Sequence, residues 1–435
     1  MKLQYQNSAN STSLDERPVR LRLTTGPKTR LLQRMIIAIT SFLGGFVLFE
    51  PAPYELILAV IIVVWFAFGL RIPRLVLPLL LLIIGFNAGG IIASFQMEDH
   101  MRGILYVATS LFLGLTSVFF AIILSKDTKR IEILFKAYLA AAVLTCVLGI
   151  LGYFNIPGFA LFSKFERASG AFQDPNVFAP YLVIPILYMM HGIMRKNPTG
   201  VISKSLWLAI LTLGLFLAFS RAAWGLAVAS IAFFYCLQLI NERDRNHRFR
   251  LLFLAAMGFT AIIAVLAIAL QNEDVSQSVS ERGQLVQSYD SGETGRFALH
   301  VVGLEVSLAK PLGIGPLEFF TLYGTNTHNT FLKASLSYGW IGFLCWTTML
   351  IWTLVVGSKL LFRQRPWQMY LQIAYTVFLW HIIISYVIDI DHWRHFYLMI
   401  GIIWSCILLE ARWQFKASNQ KLRETSLCPE PHEAT

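Results

Sequence analysis

His328 stands in TNTHNTFLKASLSYGWIG (325–342), between Thr/Asn pairs and just ahead of an apolar run. An imidazole that titrates near neutrality can take a proton from an attacking hydroxyl, so His328 is a candidate general base. The same Asn- and Thr-rich surroundings also suit a helix-capping turn. Arg221 lies in FLAFSRAAWGLAV, pressed between two apolar runs with almost no loop to hold it. A guanidinium there either snorkels to water or faces a cavity or an anion. In the second case its rigid fork of donors matches phosphate oxygens. Arg296, in TGRFALHVVGLEVSLAK, is a second candidate clamp. It is followed by KPLGIGPLEF, a Pro/Gly cluster suited to a tight turn. Arg167, in KFERASGAFQDPNVFAPYL, either adds a third positive charge or belongs with Asp174 and Asn176 to a turn and helix start.

Two acidic groups bear on metal chemistry. Asp389-Ile390-Asp391 is followed by His392 and His395, and Glu98-Asp99-His100 lies in another connector. Paired carboxylates can hold a divalent cation beside a diphosphate. Acids at helix ends are also ordinary connectors, and that reading is preferred, so no metal site is expected. Asn87 and His191, inside apolar runs, read as helix–helix contacts.

These residues must be positioned by membrane helices. The chain has 435 residues, 56% hydrophobic and 14% charged, with mean hydropathy +0.60. Soluble domains carry roughly a quarter charged residues. Long apolar runs without period-2 alternation select helices, since the bilayer leaves only helices and closed barrels as spanning structures. The fold class expected is an all-α polytopic membrane protein with about 12 transmembrane helices, near 35–50, 54–70, 74–96, 101–125, 131–152, 176–193, 205–220, 222–240, 249–270, 336–358, 367–388 and 394–411. Most of the 36 Lys and Arg fall in alternate connectors, which puts those connectors and both termini in the cytoplasm. A net charge of +11 distributed this way is a topology signal rather than a nucleic-acid surface. The five cysteines do not pair sensibly, so no disulfide is expected.

The partition follows: a disordered cytoplasmic tail over 1–34, spans 1–9 over 35–270, a large extracytoplasmic loop over 271–335, spans 10–12 over 336–411 and a cytoplasmic tail over 412–435. The large loop contains an amphipathic helix. At 100° per residue Arg296, His300, Gly303 and Ser307 share a narrow polar face, opposite Phe297, Val301, Val302, Leu304 and Leu308. Such a helix suits the outer membrane surface, with Glu305 awkwardly on the apolar side.

In this order and placement, SRAAW, GR before a helix, PLGIG, THNTFLKASLSYGWIG and RASGAFQDPNVFAPYL resemble the O-antigen ligase/polymerase superfamily. The resemblance is most specific over 294–342. It implies a GT-C-like inverting glycosyltransferase, without a cofactor, at the periplasmic face of the bacterial inner membrane. The implied donor is a glycan on undecaprenyl diphosphate. The implied acceptor is lipid A–core in a ligase, or another lipid-linked glycan in an O-antigen or exopolysaccharide polymerase. Carried over, Arg221 and Arg296 match the family's phosphate-binding arginines and His328 its catalytic histidine. Membrane lipids are the other partners expected, and nucleic acid is not. A lipid-linked oligosaccharide flippase is the rival of another class. It is disfavoured because the unusual polar residues gather at one face, without an internal repeat.

Overall fold

The computed structural model describes residues 27–271, 273–282 and 295–427. The apolar runs are helices, as they must be where no water satisfies the backbone. In chain order these are α1 (Pro27–Leu43), α2 (Pro53–Ala67), α3 (Leu77–Ser94), α4 (His100–Leu124), α5 (Thr128–Tyr153), α6 (Pro175–Tyr181), α7 (Val183–Met194), α8 (Val201–Leu217), α9 (Arg221–Asn241), α10 (Arg245–Ala269), α11 (Glu273–Arg282), α12 (Arg296–Ala309), α13 (Glu318–Tyr323), α14 (Thr330–Ser358), α15 (Gln368–Ile384) and α16 (Arg394–Leu427). Among the described residues the one sheet is an antiparallel hairpin, β1 (Ser163–Lys164) with β2 (Arg167–Ala168).

Each of the twelve apolar stretches overlaps helix, though α1 ends at Leu43, inside the 35–50 stretch. Seven helical segments among the described residues are long and apolar enough to cross a membrane, while α2, α8 and α15 are apolar but shorter. Several boundaries differ from the sequence reading. Helix α1 begins at Pro27, inside the expected tail, α14 begins at Thr330, inside the expected loop, and α16 continues to Leu427. Residues 1–26, 283–294 and 428–435 of the expected tails and loop lie outside the described residues. Cys146, Cys236, Cys345 and Cys406 are free thiols, and Cys428 lies outside the described residues.

The bundle has two distinct ends. At one, Arg34 pairs with Asp127 at 3.2 Å, Arg363 and Arg365 each reach Glu410 at 2.8 Å, and Lys196 lies 3.3 Å from Glu242. The other end is knit by contacts between distant segments. The Arg167 guanidinium reaches the α8–α9 turn, the Val47 amide donates to the Ala171 carbonyl, and Arg394 pairs with Glu50 and Glu55. The 385–391 loop bonds the start of α14. Arg167, Arg221, Arg296 and His328 therefore belong to one end, opposite the basic connectors.

Helix α12 turns its two faces in opposite directions. Its narrow polar side turns inward, with Ser307 buried and His300 bonded to the Thr327 carbonyl. Phe297, Val301, Leu304 and Leu308, one stripe along the helix, are each about half exposed or more. The stripe therefore faces away from the protein, while Leu299, Val302 and Val306 pack with Phe319 and Leu336.

The turn after α12 clasps α14 where that helix kinks. Gly339 has φ +64° inside α14. The Trp340 amide donates to Pro311 O at 2.9 Å and the Ile314 amide to Leu336 O at 2.8 Å. A Cβ on Gly339 would lie 2.7 Å from the Leu312 carbonyl oxygen, and one on Gly313 2.8 Å from that of Leu336. Both positions thus require glycine, by conformation and by space. On the other side of α14, Gly89 of α3 faces the backbone at Tyr338 and Gly342, a close helix contact of the small-residue kind. Gly339→Val should cost at least about 2 kcal/mol, from a strained φ plus a backbone clash. A clear fall in the melting temperature of purified protein in detergent is the expected readout, and an unchanged melting curve would count against the clasp.

Candidate functional site

The site is built on the 325–330 turn. His328 is half-buried, with φ +48°, a left-handed conformation that non-glycine residues adopt only under constraint. It is not the helix cap. Asn329 is, since its Oδ1 accepts from the Phe331 amide at 3.0 Å and the Leu332 amide at 3.2 Å. The cap is thus made by the residue next to the imidazole. Thr330 continues the anchoring: its amide donates to Ser385 O at 2.8 Å. Its hydroxyl donates to Ile388 O and accepts from the Ile390 amide, both at 3.0 Å.

Lys333, one turn into α14, explains the Asp-Ile-Asp segment. Its Nζ lies 2.9 Å from Asp391 Oδ1 and 3.7 Å from Asp389 Oδ2, and sits over the Tyr106 ring. The Tyr106 hydroxyl donates to Asp391 Oδ2 at 3.2 Å, and His392 Nδ1 lies 2.9 Å from the same oxygen. Burial pushes the Asp391 carboxyl up, but Lys333 and His392 more than offset this and hold it well below the usual carboxylate range. These carboxylates serve as counter-ions to a lysine. Among the described residues no group of three or more His, Cys, Asp or Glu side chains is arranged as a metal site. In the other acidic group, Asp99 caps α4 by accepting from the Arg102 amide at 3.1 Å, and His100 Nδ1 lies 3.1 Å from Ser94 O.

The second part of the site is the α8–α9 turn. Helix α8 ends at Leu217 and α9 opens at Arg221, with Phe219 at φ +45° between them. Trp224 folds back, stacking on Phe216 and donating to Leu215 O at 3.2 Å. This local closure holds Arg221, half-buried, at the helix start. Arg167, only 7% exposed, donates from Nε to Ala218 O at 2.6 Å and from Nη2 to Asn176 Oδ1 at 2.8 Å. Asp174 caps α6 by accepting from the Asn176 amide at 2.8 Å. Arg167 is thus built into the turn that presents Arg221.

Arg296 is the first residue of α12, and its side chain lies outside what the structure describes. One helical turn later His300 Nε2 lies 2.8 Å from Thr327 O, beside His328. The segments that carry the four residues singled out by sequence accordingly meet two by two at one end of the bundle: Arg167 reaches the turn before Arg221, and α12, which opens at Arg296, meets the turn that carries His328. Sequence reasoning missed Lys333 and Tyr106. A lysine set inside the apolar start of a span was the available signal, because such a charge demands an acidic partner.

Residues 206–347 match the family model described as O-antigen ligase. The match runs from α8 into α14 and contains Arg221, Arg296 and His328, whereas Arg167 and the Asp389–Asp391 segment lie outside it. No curated protein matches the chain.

Removing one partner of a buried ion pair typically costs about 3–5 kcal/mol. Lys333→Met, which strands Asp391, is expected to destabilise on that scale, and Lys333→Met/Asp391→Asn should recover much of the loss. Asp391 titrates lower when folded than its ordinary 3.8. Its contribution is therefore present above that pH and is lost only as pH falls through the lower folded value. Thermal unfolding from pH 7 to pH 4 should show no step from this pair. A Lys333→Met variant as stable as wild type would remove the pair from its structural role.

Proposed function

We propose, from the premise that the chain belongs through residues 206–347 to the O-antigen ligase/polymerase superfamily, that it is an O-antigen ligase-like inverting glycosyltransferase. In this reading it moves a glycan from undecaprenyl diphosphate to lipid A–core at the periplasmic face of the inner membrane, with both termini cytoplasmic and about twelve spans in a GT-C-like arrangement. Superfamily membership and the apolar helices support an enzyme of ligase or polymerase type in a multi-pass bacterial inner membrane protein. The site itself rests on one observation: His328 is held in a left-handed turn at the mouth of α14, with a helix that opens on Arg296 bonded to the preceding residue.

The chemistry follows from charge. As the glycosyl–oxygen bond breaks, negative charge grows on the diphosphate, and arginines fixed beforehand stabilise it more in the transition state than in the ground state. Arg221 and Arg296 carry that role, and Arg167 supports it by holding the α8–α9 turn. His328 takes the proton from the acceptor hydroxyl as its oxygen attacks the anomeric carbon from the opposite face, which inverts the configuration. No divalent cation is assigned a step, since guanidinium charge serves the leaving group and Lys333 occupies the acids nearby. An exopolysaccharide or O-antigen polymerase would use the same residues with a lipid-linked acceptor.

The test is a transfer assay with purified protein, a lipid diphosphate glycan and either acceptor. Arg221→Ala and Arg296→Ala should each lower the rate about a hundredfold or more, with membrane insertion unchanged. His328→Ala should reduce turnover far more than donor binding. Wild-type transfer by any of the three removes that residue from the site. Activity should persist in chelator, whereas inhibition reversed by a divalent cation would return Asp389 and Asp391 to consideration as ligands. In a deletion strain, full-length glycan accumulating on the carrier indicates a ligase, and single repeat units on the core indicate a polymerase.

A further inference from the structure

The backbone at His328 calls for a support. A non-glycine residue at φ +48° persists only where its surroundings over-determine it. On its C-terminal side the support is the Asn329 cap and the Thr330 bonds to the 385–390 loop. On its N-terminal side Thr327 is buried, and its carbonyl faces His300 Nε2 at 2.8 Å. A carbonyl only accepts, so His300 must carry its proton on Nε2 and donate. That carbonyl belongs to the peptide unit linking Thr327 to His328, and holding it sets the plane from which the His328 side chain departs.

We infer that His300 is a positioning residue: its Nε2–H, given to the Thr327 carbonyl, orients the 327–328 peptide so that the His328 imidazole meets the acceptor hydroxyl. This rests on the reading of His328 as the base. His300 is not needed to dock α12, which is held independently. Leu299, Val302 and Val306 pack with Phe319 and Leu336, the Trp340 indole donates to Ser307 O at 3.0 Å, and the 311–315 turn clasps α14. Loss of one hydrogen bond there leaves the helix in place and frees the peptide. The same bond ties the helix that opens on Arg296 to the turn that carries His328, so base and diphosphate clamp share a reference point.

Three variants of the full-length protein test this in the transfer assay. His300→Phe keeps the ring volume and removes the donor, and His300→Gln keeps a donor of similar reach. In His300→Asn the amide falls short of the carbonyl. His300→Phe should lower kcat about 10- to 100-fold, with KM for the lipid-linked donor and the melting temperature unchanged, and His300→Gln should restore most of the rate. Should His300→Phe fail to fold, Gln exceeding Asn in kcat at equal KM reads the same role. Wild-type kcat in His300→Phe, or equal losses in Gln and Asn, overturns the inference. His328→Ala serves as the reference: if it keeps full activity, the base assignment itself fails, whatever His300 does.

Discussion

A lysine one turn inside an apolar helix can remain there only if carboxylates come to it, because an uncompensated charge in low dielectric costs several kcal/mol. Lys333 meets that condition through Asp391 and Asp389, 56 to 58 residues further along the chain by their numbering. The pair joins the mouth of α14 to the loop between α15 and α16, and the backbone bonds of Thr330 follow the same seam. Position, not charge alone, is the consequence. The turn carrying His328 is anchored on one side by this seam and on the other by α12 and the glycine clasp at Gly339. Local strain at φ +48° persists because both flanks are fastened.

Arg167 obeys the same constraint by another route. It is buried and donates to the Ala218 carbonyl and the Asn176 amide oxygen. Charge-assisted hydrogen bonds to neutral oxygens suit a guanidinium, whose charge is delocalised and weakly hydrated. Its donors leave from a two-residue hairpin and end on the turn before Arg221, so two loops distant in sequence set the start of α9 together. The buried cations at this end thereby act as fasteners for the segments that display the candidate clamp and base.

Much of this was legible in the amino-acid sequence, and the remainder was hidden for physical reasons. Apolar runs report helices directly, since burial in lipid constrains every residue of a span, and each of the twelve stretches overlaps a helix. That α9 opens at Arg221 and α14 just after His328, at the end away from the basic connectors, also followed from counting spans. Helix ends were less legible. Thr330 and Asn329 start α14 through a polar cap, which hydropathy does not register, and α16 runs on as a helix past the apolar stretch. Which way α12 turns was not legible, because the protein offers its polar face a carbonyl at Thr327 and a donor at Trp340. A helical wheel shows two faces without showing what meets them. The Lys333 pair was hidden for a different reason: long-range charge pairing leaves no periodic trace, and the acids read as ordinary connectors at a helix end.

The pairing of those acids bears on how a diphosphate could be received at this end. A carboxylate near a phosphate raises the free energy of both by like-charge repulsion, most strongly where water is scarce. Two largely buried carboxylates here are matched by cations, Asp391 by Lys333 and Glu55 by Arg394. Asp174 gives an oxygen to the α6 amides. Matching lowers the repulsive field without adding a net positive patch, so in the proposed reading the attraction for an anion falls to specific guanidinium groups. That favours recognition by geometry over recognition by bulk charge. A leaving group whose charge grows at two phosphates during bond breaking gains most from donors held in place before the reaction begins. An end of the molecule fastened by ion pairs, caps and a glycine clasp is suited to holding them so.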